Sequence, residues 1–210
     1  MQILLVAATK AELHLPGSVE KKVDLLITGV GVPVTLYQLQ KRLFQKKYDL
    51  VIQAGIGGSF NDTIKLGDVL LVKKDIFADI GMEEQHAFTS IYNTPFTDKN
   101  EFPYNNGWLI NNSRFIDQFN YKQVNAITIN KVSDSQLQQQ QFISNFNPDI
   151  ESMEGAALHF ICLQEKTSFL QIRSISNKVG MRDKKEWKIK EAIANLGESL
   201  AVIIETMLKK

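Results

Sequence analysis

The chain has 210 residues, 44% hydrophobic and 22% charged, an ordinary globular composition and long enough for one large α/β domain. Its 24 basic and 23 acidic residues leave a formal net charge of +1, so no global field draws it to nucleic acid or an anionic membrane, and neither is expected as a partner. One cysteine, Cys162, excludes an internal disulfide, and His14, His86 and His159 are scattered without metal-ligand spacing, so no metal and no cofactor are expected.

The chain enters a strand-like run at once, residues 3–8, with no charged leader, and no apolar run approaches the roughly 20 residues that span a bilayer. A soluble, cytoplasmic protein is the expectation. Further continuous apolar runs rich in Val, Ile and Leu follow at 23–27, 50–54 and 169–175. Runs without alternation predict strands buried on both faces by helices. Residues 68–72 lead into an extended segment reaching Ile80, and 123–129 is a sixth strand candidate.

Helices are predicted between them. Residues 32–47 carry Val34, Leu36, Leu39, Leu43 and Phe44 at helical spacing, closed by Lys46 and Lys47 near the C-terminal dipole. Residues 154–166 and 185–208 read the same way, with Cys162 as a small core residue. The alternation predicts a three-layer α/β/α sandwich, one domain over 1–210. Its central sheet is expected to be mixed, because 68–80 follows 50–54 with no helix between. Residues 83–112, rich in Asn, Thr, Phe and Tyr, read as a long binding loop or lid.

Chemistry collects at strand ends. Thr9-Lys10-Ala11-Glu12 lies just past the first run, at the rim where open α/β sheets bind ligands. Gly29-Val30-Gly31 and Gly55-Ile56-Gly57-Gly58-Ser59 each follow a strand; they serve either as tight turns or as backbone that approaches a ligand. Neither fits a dinucleotide or phosphate-loop fingerprint. Glu151-Ser152-Met153-Glu154-Gly155-Ala156-Ala157 sets two carboxylates around a methionine where a strand yields to a helix. Glu154 can grip vicinal hydroxyls of a ribose, or simply cap the helix. In Arg173-Ser174-Ile175-Ser176-Asn177 an arginine sits inside an apolar strand and requires a carboxylate partner, with Glu12 and Glu154 as candidates.

Taken in order, these motifs resemble the purine nucleoside phosphorylase and hydrolase superfamily over nearly the whole chain. Within it the sequence is most similar to nucleosidases that cleave methylthioadenosine and S-adenosylhomocysteine. The block Ser176-Asn177-Lys178-Val179-Gly180-Met181-Arg182-Asp183, followed by Trp187-Lys188-Ile189 and Ala192-Ile193, resembles the futalosine hydrolases in particular. The resemblance implies a nucleoside phosphorylase-like fold, a small-molecule nucleoside substrate and a homodimer. It implies a catalytic set of Glu12 (general base for water), Arg173 (fixing Glu12 and the water) and Asn177 (donor to the departing base). Substrate-binding residues would be Glu154 on the ribose hydroxyls and Met153 against the sugar. Ala54, Gly55 and Ile56 would line the pocket, with Ser176, and Ile129, Thr128 and Val132 would lie near the base.

The methylthioadenosine nucleosidases carry aspartate where this chain has Asn177; a carboxamide does not titrate and suits the N7/O6 edge of a 6-oxopurine, favouring hypoxanthine as leaving group. Glu12 would repel phosphate, which favours water as nucleophile. The resemblance also requires donors for a benzoate group, for which Lys178, Arg182 and the loop containing His86 are candidates. Two alternatives stay open: a methylthioadenosine-type or aminofutalosine nucleosidase releasing adenine, and a nucleoside-binding protein without turnover.

Overall fold

The computed structural model describes residues 1–181 and 183–209. They form strands β1 (Ile3–Ala7), β2 (Asp24–Ile27), β3 (Leu50–Ser59), β4 (Val69–Asp75), β5 (Gly81–Glu84), β6 (Ala87–Ser90), β7 (Leu109–Ile110), β8 (Gln123–Thr128), β9 (Ile150–Ser152) and β10 (Phe169–Lys178). Helices are α1 (Gly17–Glu20), α2 (Val32–Gln45), α3 (Gln136–Phe146), α4 (Gly155–Gln164) and α5 (Ile189–Leu208).

The central sheet is mixed, as the missing helix between β3 and β4 implies. β1 lies parallel between β2 and β3, and β3 is parallel to β10. β4 runs antiparallel to β10 and parallel to β8, which is parallel to β9. β9 then pairs antiparallel with the last residues of β3, Gly58 opposite Glu151. The sheet therefore closes on itself through β3, β10, β4, β8 and β9, leaving β1 and β2 as an open wing. β7 extends β4.

Two apolar layers make the sandwich. On one face Leu196, Leu200, Ile203, Ile204 and Met207 of α5 pack on Leu5, Leu50, Ile52, Leu170 and Ile172. On the other, Leu39 and Leu43 of α2 and Leu158, Ile161 and Cys162 of α4 pack on Leu4, Val6 and Val51. Every residue of β1 is buried, which is why its run shows no alternation. Among the described residues no helix is long and apolar enough to cross a membrane.

Two parts differ from the sequence expectation. Residues 83–112 are not a featureless loop: β5 and β6 form a hairpin whose turn residues Gln85 and His86 take φ of 49° and 66°. Such turns are signalled by Asn-Gly or Asp-Gly, which this hairpin lacks. Helix α3 was not expected, because four consecutive glutamines dilute its apolar stripe to one buried side chain, Phe142. Its signal was the capping: Ser135 Oγ accepts from Gln138 N at 3.3 Å, and Asn147 closes the helix in the left-handed region.

Candidate active site

A cavity of about 340 Å³ opens at the carboxyl ends of β1, β3 and β10. Its wall includes Glu12, Ile56, Ile129, Met153, Glu154, Ser176 and Asn177. Val132 also lines it, together with Ala8, Gly57, Gly58, Val30, Glu151, Trp187, Ile189 and Ile193.

Glu12 ends a one-turn 3-10 helix, Lys10–Glu12, directly after β1. Its Oε2 accepts from Thr9 N and Thr9 Oγ1, both at 3.0 Å, and its Oε1 from Ile56 N at 3.2 Å. Three donors thus fix the rotamer of a buried carboxylate while it still borders the cavity. Glu154 stands at the N-cap of α4, and its Oε1 accepts from Gly31 N at 2.9 Å across 123 residues of sequence. Burial raises its pKa above the ordinary carboxylate value, and the nearby Glu12 charge pushes the same way. The Arg173 charge and the Gly31 amide oppose that rise. Gly29 and Gly31 take φ of 86° and 97°, so this turn requires the missing Cβ to bring an amide to the carboxylate.

Arg173 lies beneath the cavity, 1% exposed. Its partner is not the carboxylate that the sequence suggested: Nη2 donates to Gln53 Oε1 at 2.6 Å, and Gln53 Nε2 donates onward to the backbone carbonyl of Glu154 at 3.3 Å. The guanidinium crosses β3 at Gly55, its register partner, where a Cβ would collide with Nη1 and sit 2.9 Å from Glu12 Oε1. Gly55 is therefore the gap through which Arg173 reaches the Glu12 side. Ala54 is likewise not in the wall; it is fully buried in the α5-side core, and the β3 contribution to the cavity is Ile56, Gly57 and Gly58.

Asn177 is held in one orientation. Ser176 Oγ donates to its Oδ1 at 2.8 Å and its Nδ2 donates to Lys178 O at 2.9 Å, which leaves the second amide hydrogen for a ligand. Thr128 does not reach the cavity. Its Oγ1 donates to Asp75 Oδ1 at 2.9 Å and accepts from Ala156 N at 2.7 Å, tying β4, β8 and the first turn of α4 together.

That link opens onto a polar layer that sequence reasoning missed. Burial pushes the Asp75 carboxyl up to about 6, against hydrogen bonds from Thr128 and the Ile76 amide and the Arg173 charge. Burial pulls His159 down to about 4, and its Nδ1 lies 2.8 Å from Leu109 O, which assigns that nitrogen the proton. Gln171 lies beside both, and a Cβ at Gly155 would collide with Gln171 Nε2 and Asp75 Oδ2. No local motif announces these residues, because they come from β4, α4 and β10.

Two of the three candidates for holding a benzoate, Lys178 and His86, do not line the cavity. Lys178 Nζ donates to Asn61 O at 2.8 Å and Ile64 O at 3.2 Å and pairs with Asp62 at 3.3 Å. His86 borders a separate polar cleft with Lys131 and Gln141. Arg182 lies outside the described residues. Glu151 of β9 also lines the cavity and was given no role from sequence.

Comparison with known proteins agrees with this fold. A family model described as the phosphorylase superfamily matches residues 15–209. The chain is 25% identical over 178 residues to a futalosine hydrolase of Thermus thermophilus, covering 83% of this chain and 78% of that one. It is 25% identical over 193 residues to a futalosine hydrolase of Streptomyces coelicolor, covering 87% and 80%. Among solved structures, a 5'-methylthioadenosine/S-adenosylhomocysteine nucleosidase of Helicobacter pylori superposes with a TM-score of 0.78 at 12% identity, covering 98% of each chain. A futalosine hydrolase of the same organism gives 0.77 at 13% identity, again over 98% of each chain.

Proposed function

This chain belongs to the phosphorylase superfamily, and we propose that it is an N-glycosidase that hydrolyses futalosine. The products are hypoxanthine and dehypoxanthine futalosine, and the step serves the futalosine route to menaquinone. Residues 1–210 act as one domain. The observation that carries the choice of base is the orientation of Asn177, a residue of the cavity wall whose carbonyl accepts from the Ser176 hydroxyl and whose NH2 group donates one hydrogen to Lys178 O, leaving the other as the donor for a ligand. N7 and O6 of a 6-oxopurine are both acceptors and fit that donor; adenine offers a donor at N6 instead.

The carboxylates divide the labour. Glu12, held by Thr9 and Ile56, orients and deprotonates a water that attacks the anomeric carbon. Glu154 spends one oxygen on Gly31 N and keeps the other for the ribose diol. Charge that develops on the sugar in an oxocarbenium-like transition state falls between them, where a preorganised negative field acts on that state more than on the substrate. Arg173, from beneath, offsets the mutual repulsion of two buried carboxylates. Met153 packs on the sugar and Ile129 and Ile56 flank the nucleoside. With Glu12 on the attacking face, phosphate is repelled and water is the nucleophile.

A homodimer completes the reading. Val30 at the cavity mouth and Val34, Tyr37 and Phe44 along α2 form an exposed apolar stripe that a second copy would cover.

The test is product analysis with futalosine, aminofutalosine, methylthioadenosine and inosine, with and without phosphate. Hypoxanthine release from futalosine that is independent of phosphate is expected. Adenine release without any hypoxanthine would defeat the assignment, and a sugar 1-phosphate product would make the enzyme a phosphorylase. An intact nucleoside after binding would leave only a binding protein.

A further inference from the structure

We propose that Thr128, with Ser152 beside it, is a positioning residue: their hydroxyls cap helix α4 in place of Glu154, which leaves the Glu154 carboxylate turned to the cavity for the ribose diol. The inference rests on the hydrolase reading above and deepens it.

Glu154 is the N-cap residue of α4, yet its side chain makes no cap hydrogen bond. An acid at that position is drawn toward the first-turn amides, which lack partners within the helix and form the positive end of its dipole. Here the carboxylate reaches the other way, and its Oε1 accepts from Gly31 N at 2.9 Å in the cavity wall. Two first-turn amides go to hydroxyls instead. Ser152 Oγ accepts from Gly155 N at 3.3 Å and Thr128 Oγ1 from Ala156 N at 2.7 Å. Thr128 and Ser152 are register partners at the ends of the parallel strands β8 and β9, so the sheet itself sets the two hydroxyls side by side.

Asp75 fixes which way Thr128 works. A hydroxyl has one hydrogen to give, and Thr128 gives it to Asp75 Oδ1 at 2.9 Å, so only lone pairs are left for Ala156 N. Asp75 Oδ1 is held in turn by Ile76 N at 2.8 Å. Gly155 lets the turn come this close, since a Cβ there would collide with Asp75 Oδ2. Thr128, Asp75 and Ala156 are wholly buried, so an amide deprived of Thr128 carries its full desolvation cost. The Glu154 carbonyl is pinned separately by Gln53 Nε2 at 3.3 Å. Loss of the Thr128 hydroxyl would therefore move the Glu154 side chain, which turns back to Ala156 N and leaves the diol.

The test compares kcat/KM for futalosine and for its 2'-deoxy counterpart in the parent, Thr128→Val and Thr128→Ser. Valine keeps the shape and loses the acceptor, so the preference for the ribose substrate should fall at least tenfold. Serine keeps the hydroxyl and should hold the preference within threefold. A merely structural role would lower both rates together and leave their ratio alone. A ratio unchanged within twofold in the valine variant, or lost as far in the serine variant, would overturn the proposal. Thr128→Cys, whose sulfur accepts only weakly, carries the same comparison where valine does not fold. A crystal structure of the folded variant needs no substrate: Glu154 Oε1 should leave Gly31 N for Ala156 N, and a carboxylate still on Gly31 N would overturn the inference. A parent inert toward futalosine sinks the hydrolase reading instead, and the crystallographic arm then decides this one.

Discussion

Strands β3 and β10 each begin as core and end as site, and their two halves, both buried and paired in one ladder, differ in polarity. Val51 and Ile52 lie beside Phe169 and Leu170, all fully or almost fully buried between the helical layers. From Gln53 and Gln171 onward the same ladder carries Arg173, Ser174, Ser176 and Asn177 against Gly55, Gly57 and Gly58. The first halves contribute apolar burial of roughly 25 cal/mol per Å² removed from water. The second halves bury polar groups whose desolvation has to be offset by hydrogen bonds. Gln171 helps to supply that balance, since it interacts with both Asp75 and His159, while Arg173 Nε has no hydrogen-bond partner among the described residues. The lesson is that stability and chemistry sit on the same strands a few residues apart, so substitutions in the two halves should fail in different ways.

The sharpest contrast is Glu12→Gln. The substitution keeps an acceptor for Thr9 but turns an NH2 toward Ile56 N and removes the base, so turnover should fall about 10²- to 10⁴-fold while stability falls by only about 1 kcal/mol. Steady-state kinetics beside thermal unfolding would check it; full activity would remove Glu12 from the mechanism. The converse is Leu170→Ala in the buried half, which should cost about 2–5 kcal/mol of stability while the folded fraction keeps its turnover. Urea titration with activity per folded molecule measures both.

Asp75→Asn probes the polar layer. Folding raises this carboxyl from the ordinary 3.8 to about 6, so the native state holds the proton more tightly than the unfolded chain. Its stabilising contribution is complete below about pH 3.8 and is lost as pH rises through about 6. Asparagine can still accept from Thr128 and Ile76 and has no charge to bury. The variant should therefore gain on the parent between pH 4 and 8, by on the order of 3 kcal/mol. Unfolding curves at the two pH values decide it, and a constant difference would refute the buried titration. The smallest effect belongs to Ser176→Ala, which frees the Asn177 carbonyl at a cost of about 1 kcal/mol, seen as roughly a fivefold loss in kcat/KM.

Legibility from sequence followed the range of the interactions. The four apolar runs, Glu12 after the first strand and Glu154 at a strand-to-helix junction were readable, because each is set by its neighbours in the chain. Gln53 as partner of Arg173 was not: 120 residues separate them, and a buried arginine alone does not tell a carboxylate from a carboxamide. Glu151 was visible as a residue, but its place opposite Gly58, with Asn177 opposite the same glycine from the other side, depends on strand pairing that no local pattern announces. Helix α3 escaped because its caps, not its apolar face, define it.

What the sequence alone determined was therefore the layered α/β architecture and the residue types at the strand ends, since burial patterns and strand termini are local properties. The tertiary structure decided which of those ends share a cavity, that β9 closes the sheet onto β3, and that Arg173 answers to Gln53. Those outcomes depend on register between strands distant in the chain, which only packing of the whole sheet can set.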